Sequence, residues 1–403
     1  MNFQTLKDIN ANDKAVLLRA DLNVPVDENM NVTDTTRIDR LKPTIDYLRT
    51  QKAKIVLASH FGRPKGEVNN DYSLSFLSKI LEKQWGAPVK FVHNCIGDDT
   101  ITEIETAPES SIILLENLRF HAGEESNDVD FAEELSALGD IYVNDAFSTA
   151  HREHASTEAI THYLPAVAGL LMEAELNALA NALDAPQKPV MAIVGGAKIS
   201  TKLEVLNHLV QKVDKLVLGG GMANTFLYAM GHPVGNSLCE KDMTAQVKVI
   251  QEKAKTENCE IILPMDHIAV REFKTNANSE VIGLNDIADD QLTLDVGPQT
   301  IAHIEGKLQD TKTVLWNGPM GVFEMKPFDN GTNKIAQAVA QRTKEGELLS
   351  VAGGGDTVSA LENAGVANDF SYISTAGGAF LEWIEGKTLP GIQALQNASK
   401  KAA

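Results

Sequence analysis

Arginines recur just after short apolar runs in the first half of this chain, and glycine clusters accompanied by lysines do the same in the second half. The arginine segments are Leu18-Arg19-Ala20-Asp21-Leu22-Asn23-Val24-Pro25 with Arg37 downstream, Ser59-His60-Phe61-Gly62-Arg63-Pro64, Glu116-Asn117-Leu118-Arg119-Phe120, and Asn144-Asp145 through Thr149-Ala150-His151-Arg152. A guanidinium presents a planar fork of donors that matches phosphate or carboxylate. Any one of these could be an ordinary surface arginine; their recurrence at strand ends predicts a shared anion pocket. His60 and His151 suit hydrogen bonding to the same anion. His151-x-x-His154 lacks the cysteine or acidic partners of a metal site.

The glycine clusters are Gly195-Gly196-Ala197-Lys198, Gly219-Gly220-Gly221, Gly353-Gly354-Gly355-Asp356-Thr357 and Gly377-Gly378. Glycine lets a backbone turn tightly against a ligand, and the helix that follows offers free N–H groups and partial positive charge to an anion. Close strand–helix packing also selects glycine, but four such turns in one half favour nucleotide phosphate binding. Gly386-Lys387-Thr388 is no P-loop, because Leu381 stands where that motif needs its first glycine. The dinucleotide fingerprint fails at Asn224 and Val358. Lys198 and Lys202, four residues apart at an expected helix start, should share one face and need an anion to offset the helix dipole. Asp356 could serve as a helix cap or, beside polyphosphate, hold Mg²⁺.

Positioning these groups requires strands. Runs at Ala15–Arg19, Lys54–Ala58, Val89–Val92, 111–115 and 140–143, then at Val190–Val194, 216–218, 260–263, 313–316 and 348–351, are nearly continuous in Val, Ile and Leu and alternate with helical patterns. That predicts parallel sheets covered on both faces. Residues 168–183 have helical periodicity and are halted by Pro186 and Pro189, which suggests a helix joining two doubly wound domains. At 403 residues the chain exceeds one ordinary core. A net charge of −19 disfavours nucleic-acid and anionic-membrane partners. Cys95, Cys239 and Cys259 are too sparse for a disulfide framework. No secretory signal or membrane span is legible, so the cytoplasm is the expected compartment.

The arginine and glycine segments, together with Trp316-Asn317-Gly318-Pro319-Met320-Gly321-Val322-Phe323-Glu324, resemble the motifs of the phosphoglycerate kinase family in that family's order. The likeness extends from Val16 to Leu395, without departure at a motif position. It implies two Rossmann-like domains joined by a hinge helix: an acid-binding domain over 1–170 plus 388–403, a helix over 171–186, and a nucleotide domain over 187–387. Leu389-Pro390-Gly391-Ile392 resembles the family's segment that returns to the first domain. The resemblance places 3-phosphoglycerate against Asp21, Asn23, Arg37, His60, Arg63, Arg119 and Arg152. It places ATP against Lys202, Gly219, Gly220, Asn317, Glu324, Gly354, Gly355, Asp356 and Thr357, with Asp356 serving Mg²⁺. Arg37, Lys198, Lys202, Gly353 and Gly377 would surround the transferring group, in a monomer that works by hinge closure. The rival readings are another kinase that forms acyl phosphates and a hinge-closing solute-binding protein.

Overall fold

A computed structural model describes residues 3–402. The chain divides into two compact units, Met1–Leu176 with Thr388–Ala403, and Asn177–Lys387. The division falls within the helix Leu170–Leu179, which ends in a wider π turn over Ala180–Asp184. No helix among the described residues is long and apolar enough to cross a membrane.

In the first unit, β1 (Ala15–Arg19), β2 (Lys54–Ala58), β3 (Val89–Val92), β4 (Ile112–Leu115), β5 (Ile141–Asn144) and β6 (Ala166–Ala168) form one sheet in the order β3-β4-β2-β1-β5-β6. Every pairing is parallel. Residues such as Val16, Leu18, Ile55, Leu57, Ile112 and Leu114 are fully or almost fully buried, as strands between two helical layers must be. The final helix, Pro390–Ala402, belongs to this unit. Its Gly391 N–H donates to the Ala150 carbonyl at 2.9 Å, and Ser399 Oγ accepts from the Gln4 N–H at 2.8 Å.

The second unit repeats the plan with β7 (Val190–Val194), β8 (Lys215–Leu218), β9 (Glu260–Ile262), β13 (Thr313–Asn317), β14 (Leu349–Gly353) and β15 (Tyr372–Ser374), ordered β15-β14-β13-β7-β8-β9 and parallel throughout. It also carries a three-stranded antiparallel sheet of β10 (Asp266–Val270), β11 (Ser279–Gly283) and β12 (Leu292–Val296) that the apolar runs do not announce. Its strands carry polar residues, and most of β11 is exposed.

Both parallel sheets reverse direction beside their first strand. The chain leaves β1 toward β2 and later returns on the other side with β5; likewise β7 leads to β8, and β13 returns on β7's far side. Strand carboxyl ends diverge at such a reversal and leave a crevice for ligands.

Candidate functional site

The first unit gathers its charged groups at the carboxyl ends of β1, β2, β4 and β5. Arg37, in the first turn of the helix Thr36–Thr50, donates to Asp21 Oδ2 at 2.6 Å and to the Asn23 carbonyl at 3.0 Å. The Ser148 hydroxyl donates to the same Asp21 oxygen. Asn23 Oδ1 accepts from the Gly62 N–H at 3.0 Å, and Arg119 donates to the Gly62 carbonyl at 2.7 Å. Asp21, Asn23, Arg37 and Arg119 therefore form one connected patch across four loops. Arg119 is buried and pairs with Glu125 at 3.1 Å. Burial first, then the Arg152 charge, lower it to about 10. It remains a cation at neutral pH.

His60 is also buried. Burial, followed by the charges of Arg19, Arg119, Arg152 and Arg37, holds its imidazole well below the ordinary value, so it is neutral. Of these four arginines, Arg19 touches the ring directly, 3.1 Å from Nδ1. Arg152 is half-buried beside His151, whereas Arg63 is exposed. Arg19, quoted within a motif but given no role by sequence reasoning, is among the largest buried side chains in the protein.

In the second unit Lys202 occupies the crevice between β7 and β13. Its ammonium donates to the Gly195 carbonyl at 2.9 Å and to Asn317 Oδ1 and carbonyl at 2.5 and 3.3 Å. Burial lowers its pKa to about 8, against the opposing charge of Asp356. Asn317 is itself fixed, since its Nδ2 donates to the Gly353 carbonyl at 2.7 Å. Thr357 Oγ1 accepts from the Gly318 N–H at 2.7 Å. Gly195 must lack a side chain because a Cβ there would overlap the Pro319 carbonyl.

Three helices begin at the glycine turns: Gly220–Ala229 after Gly219, Gly355–Asn363 after Gly354, and Gly377–Ile384 after Ala376. No side chain caps any of them. The first N–H groups of the Gly355 and Gly377 helices are thus available to an anion, whereas in the Gly220 helix the Gly220 and Met222 N–H groups already donate to the Met320 and Gly196 carbonyls at 3.0 and 3.2 Å. Gly354 adopts a φ of +98° to turn the chain out of β14. Gly353 and Ser374 are paired in register, so the Gly354 and Gly377 turns are neighbours.

One expectation fails. Lys198 and Lys202 do not share a helix face: the helix Leu203–Leu209 starts only after Lys202, and Lys198 lies exposed in an irregular turn. That turn is held out of the helix by Ser200, which donates from its N–H and hydroxyl to Glu240 at 3.0 and 2.5 Å.

A cavity of about 530 Å³ opens beside these turns, lined by Gly220, Glu324 and Asp356 and walled by Leu238, Phe273 and Leu292. Its antiparallel wall also supplies Asp295, which accepts from the Gly331 and Val296 N–H groups at 2.7 and 2.8 Å. Burial raises Asp295 to about 7. Sequence reasoning missed Asp295; the only signal was an acid set between Leu294 and Val296, just before Gly297-Pro298.

An arginine cluster at one sheet reversal and a lysine with uncapped glycine turns at another define an α/β phosphotransferase for an anionic acceptor. The family model described as phosphoglycerate kinase matches residues 6–387. The phosphoglycerate kinase of Rhodospirillum centenum is 58% identical over 395 residues, covering 98% of this chain and 100% of the relative. That of Methylorubrum extorquens strain PA1 is 55% identical, covering 98% and 99%. The solved structure of phosphoglycerate kinase from Coxiella burnetii superposes with a TM-score of 0.92 at 40% identity, covering 99% of this chain and 100% of that one. The chain belongs to the phosphoglycerate kinase family. It is a kinase whose phosphoryl acceptor is the carboxylate of 3-phosphoglycerate.

Proposed function

We propose that the transfer is direct and in-line, with 3-phosphoglycerate held by the first unit and ATP by the second. The acid would lie against Asp21, Asn23, Arg37, His60, Arg63, Arg119 and Arg152. The observation that carries this is the clustering of buried Arg19 and Arg119 with half-buried Arg37 on the loops of Asp21, Asn23, His60 and Gly62, since cations gathered this closely call for an anion. The substrate carboxylate is ionised at neutral pH, so no general base is required.

The cavity walled by Leu238, Phe273 and Leu292 suits a flat base, with Glu324 at its edge for the ribose. Lys202, Asn317, Gly219, Gly220 and the turn Gly354, Gly355, Asp356 and Thr357 would take the phosphates. Asp356 is an exposed carboxylate in the first turn of an uncapped helix. One carboxylate fits Mg²⁺, which keeps waters and phosphate oxygens for its other positions. When bound, the ion would neutralise phosphate charge and orient the terminal group. Arg37, Lys198, Lys202, Gly353 and Gly377 would meet the transferring group, whose transition state needs alignment and charge neutralisation more than covalent help.

The two reactants are assigned to different units, so turnover requires the units to close on each other, with the Leu170–Leu179 helix as the hinge element. A cytoplasmic monomer without nucleic-acid or membrane partners is the accompanying reading, supported by the net charge of −19. The test is ADP formation from MgATP with and without 3-phosphoglycerate, combined with X-ray scattering. Acid-dependent ADP release and a more compact doubly liganded particle are expected. An unchanged radius with both ligands bound would refute the closure.

A further inference from the structure

We propose that Arg19 is a positioning residue that fixes His60 as the neutral tautomer protonated on Nε2, so that the ring meets an acceptor oxygen of the acid as a neutral hydrogen-bond donor. The inference rests on the reading that His60 touches the substrate.

Arg19 is 1% exposed, and its guanidinium is committed in three directions. Nε donates to Ser156 Oγ at 2.8 Å, one terminal nitrogen donates to the Ala20 carbonyl at 2.5 Å, and the other lies 3.1 Å from His60 Nδ1. A guanidinium has donors only and keeps its proton in proteins. Nδ1 must therefore accept with its lone pair, and the one proton of the neutral ring sits on Nε2. An imidazolium would set N–H against N–H. The surrounding charges act in the same sense: Arg19, Arg37, Arg119 and Arg152 all disfavour a second proton.

Arg19 cannot easily turn away, because a countercharge holds it from behind. Ser156 Oγ donates to Glu124 Oε1 at 2.6 Å, and the Ser156 N–H donates to Oε2 at 3.0 Å. Glu124 is fully buried. The chain Glu124–Ser156–Arg19–His60 links residues up to 137 positions apart and ends at a ring nitrogen with no hydrogen-bond partner among the described residues. Neutral imidazole has two distinct nitrogens, and the bond made by one decides what the other offers. Here the inner nitrogen is occupied by a permanent cation, so the outer one is a permanent donor.

The test uses the full-length enzyme labelled with ¹⁵N-histidine. The wild type should show a pyridine-type Nδ1 and a pyrrole-type Nε2 for His60. His60→Gln, which keeps an amide donor near the Nε2 position, should retain the 3-phosphoglycerate KM within a few-fold. His60→Asn, which reaches only the Nδ1 position, should raise it roughly 10- to 100-fold, the worth of a hydrogen bond to a charged acceptor. Arg19→Met alone would strand Glu124 as a buried charge and could unfold the unit. The double variant Arg19→Met/Glu124→Gln removes both charges; there the two nitrogen signals should move toward each other, and KM should rise more than kcat falls. A pyrrole-type Nδ1 in the wild type, an imidazolium, or an unchanged single tautomer in the double variant would overturn the proposal. A locked tautomer with normal KM in both His60 variants would uphold Arg19's role and overturn only the substrate contact.

Discussion

Replacing Lys202 with methionine should make the ligand-free protein more stable while nearly abolishing turnover. Burial holds the ammonium at about 8, against an ordinary value of 10.5. Each tenfold loss of proton affinity corresponds to about 1.4 kcal/mol, so keeping the charge there at pH 7 costs about 3 kcal/mol at most. Against this, the ammonium's hydrogen bonds to Gly195 and Asn317 contribute about 1 kcal/mol each. The net gain for Lys202→Met at pH 7 should be about 1–2 kcal/mol. The sign then fixes a pH dependence. The unfolded chain binds more protons between pH 8 and 10.5, so the wild type gains relative stability across that window and the variant's advantage disappears. Two units make a single unfolding free energy ill-defined; native-state hydrogen exchange of β7 and β13 amides reads the affected unit directly. Nucleotide should reverse the order, because phosphate supplies the missing countercharge to wild type alone. A variant less stable than wild type at pH 7, or one whose advantage grows toward pH 10, would refute the assignment of the strain to a buried ammonium.

Arg37→Ala should lower kcat by about 10³–10⁵ with the ATP KM nearly unchanged, measured in a coupled steady-state assay. Asp356→Asn should raise the apparent Mg²⁺ requirement about tenfold or more while metal-free nucleotide binding, followed by calorimetry, changes little. Asp295 keeps its proton to about 7 in the folded protein but to only about 3.8 unfolded, so its stability contribution is present at low pH and lost as pH rises through 7. Asp295→Asn should therefore be near neutral at pH 4 and stabilising by about 1–4 kcal/mol above pH 8, read from exchange of the β12 amides across that range.

The strands that carry the site were legible because each is a short, uninterrupted apolar run. β1, β2, β3 and β7 lie where those runs predict, and the others shift by a residue or two where a polar end such as Asn144 or Asn317 completes the strand. What was hidden depends on partners remote in the chain. The three-residue strands β6 and β15 are too short to show a period. β10–β12 pair antiparallel with mixed composition, so their cavity wall could not be placed. The Lys198–Lys202 spacing misled because Ser200 answers to Glu240, forty residues on, and not to a helix. Asp295 is set by an N–H thirty-six residues away at Gly331, and no local pattern encodes that.

On the proposed assignment of acid to the first unit and nucleotide to the second, the two sheet reversals would hold anions by opposite means, which would explain why their motifs look so different. On the acid side the positive charge resides in side chains, and several of these cations have a neighbouring carboxylate: Asp21 at Arg37, Glu125 at Arg119, and Glu124 behind Arg19 through Ser156. Desolvated guanidiniums need such partners to fold without ligand, so the motifs of Arg19, Arg37 and Arg119 each carry or recruit an acid. On the nucleotide side most of the attraction would come from backbone N–H groups at the uncapped starts of the Gly355 and Gly377 helices, which bear partial charge and need no counterion. That arrangement demands glycine for close approach and tolerates a single strained lysine. Exchanging the devices would fail on both sides: glycine turns lack the charge to orient a small acid, and a dense arginine cluster would bind polyphosphate too tightly for product to leave.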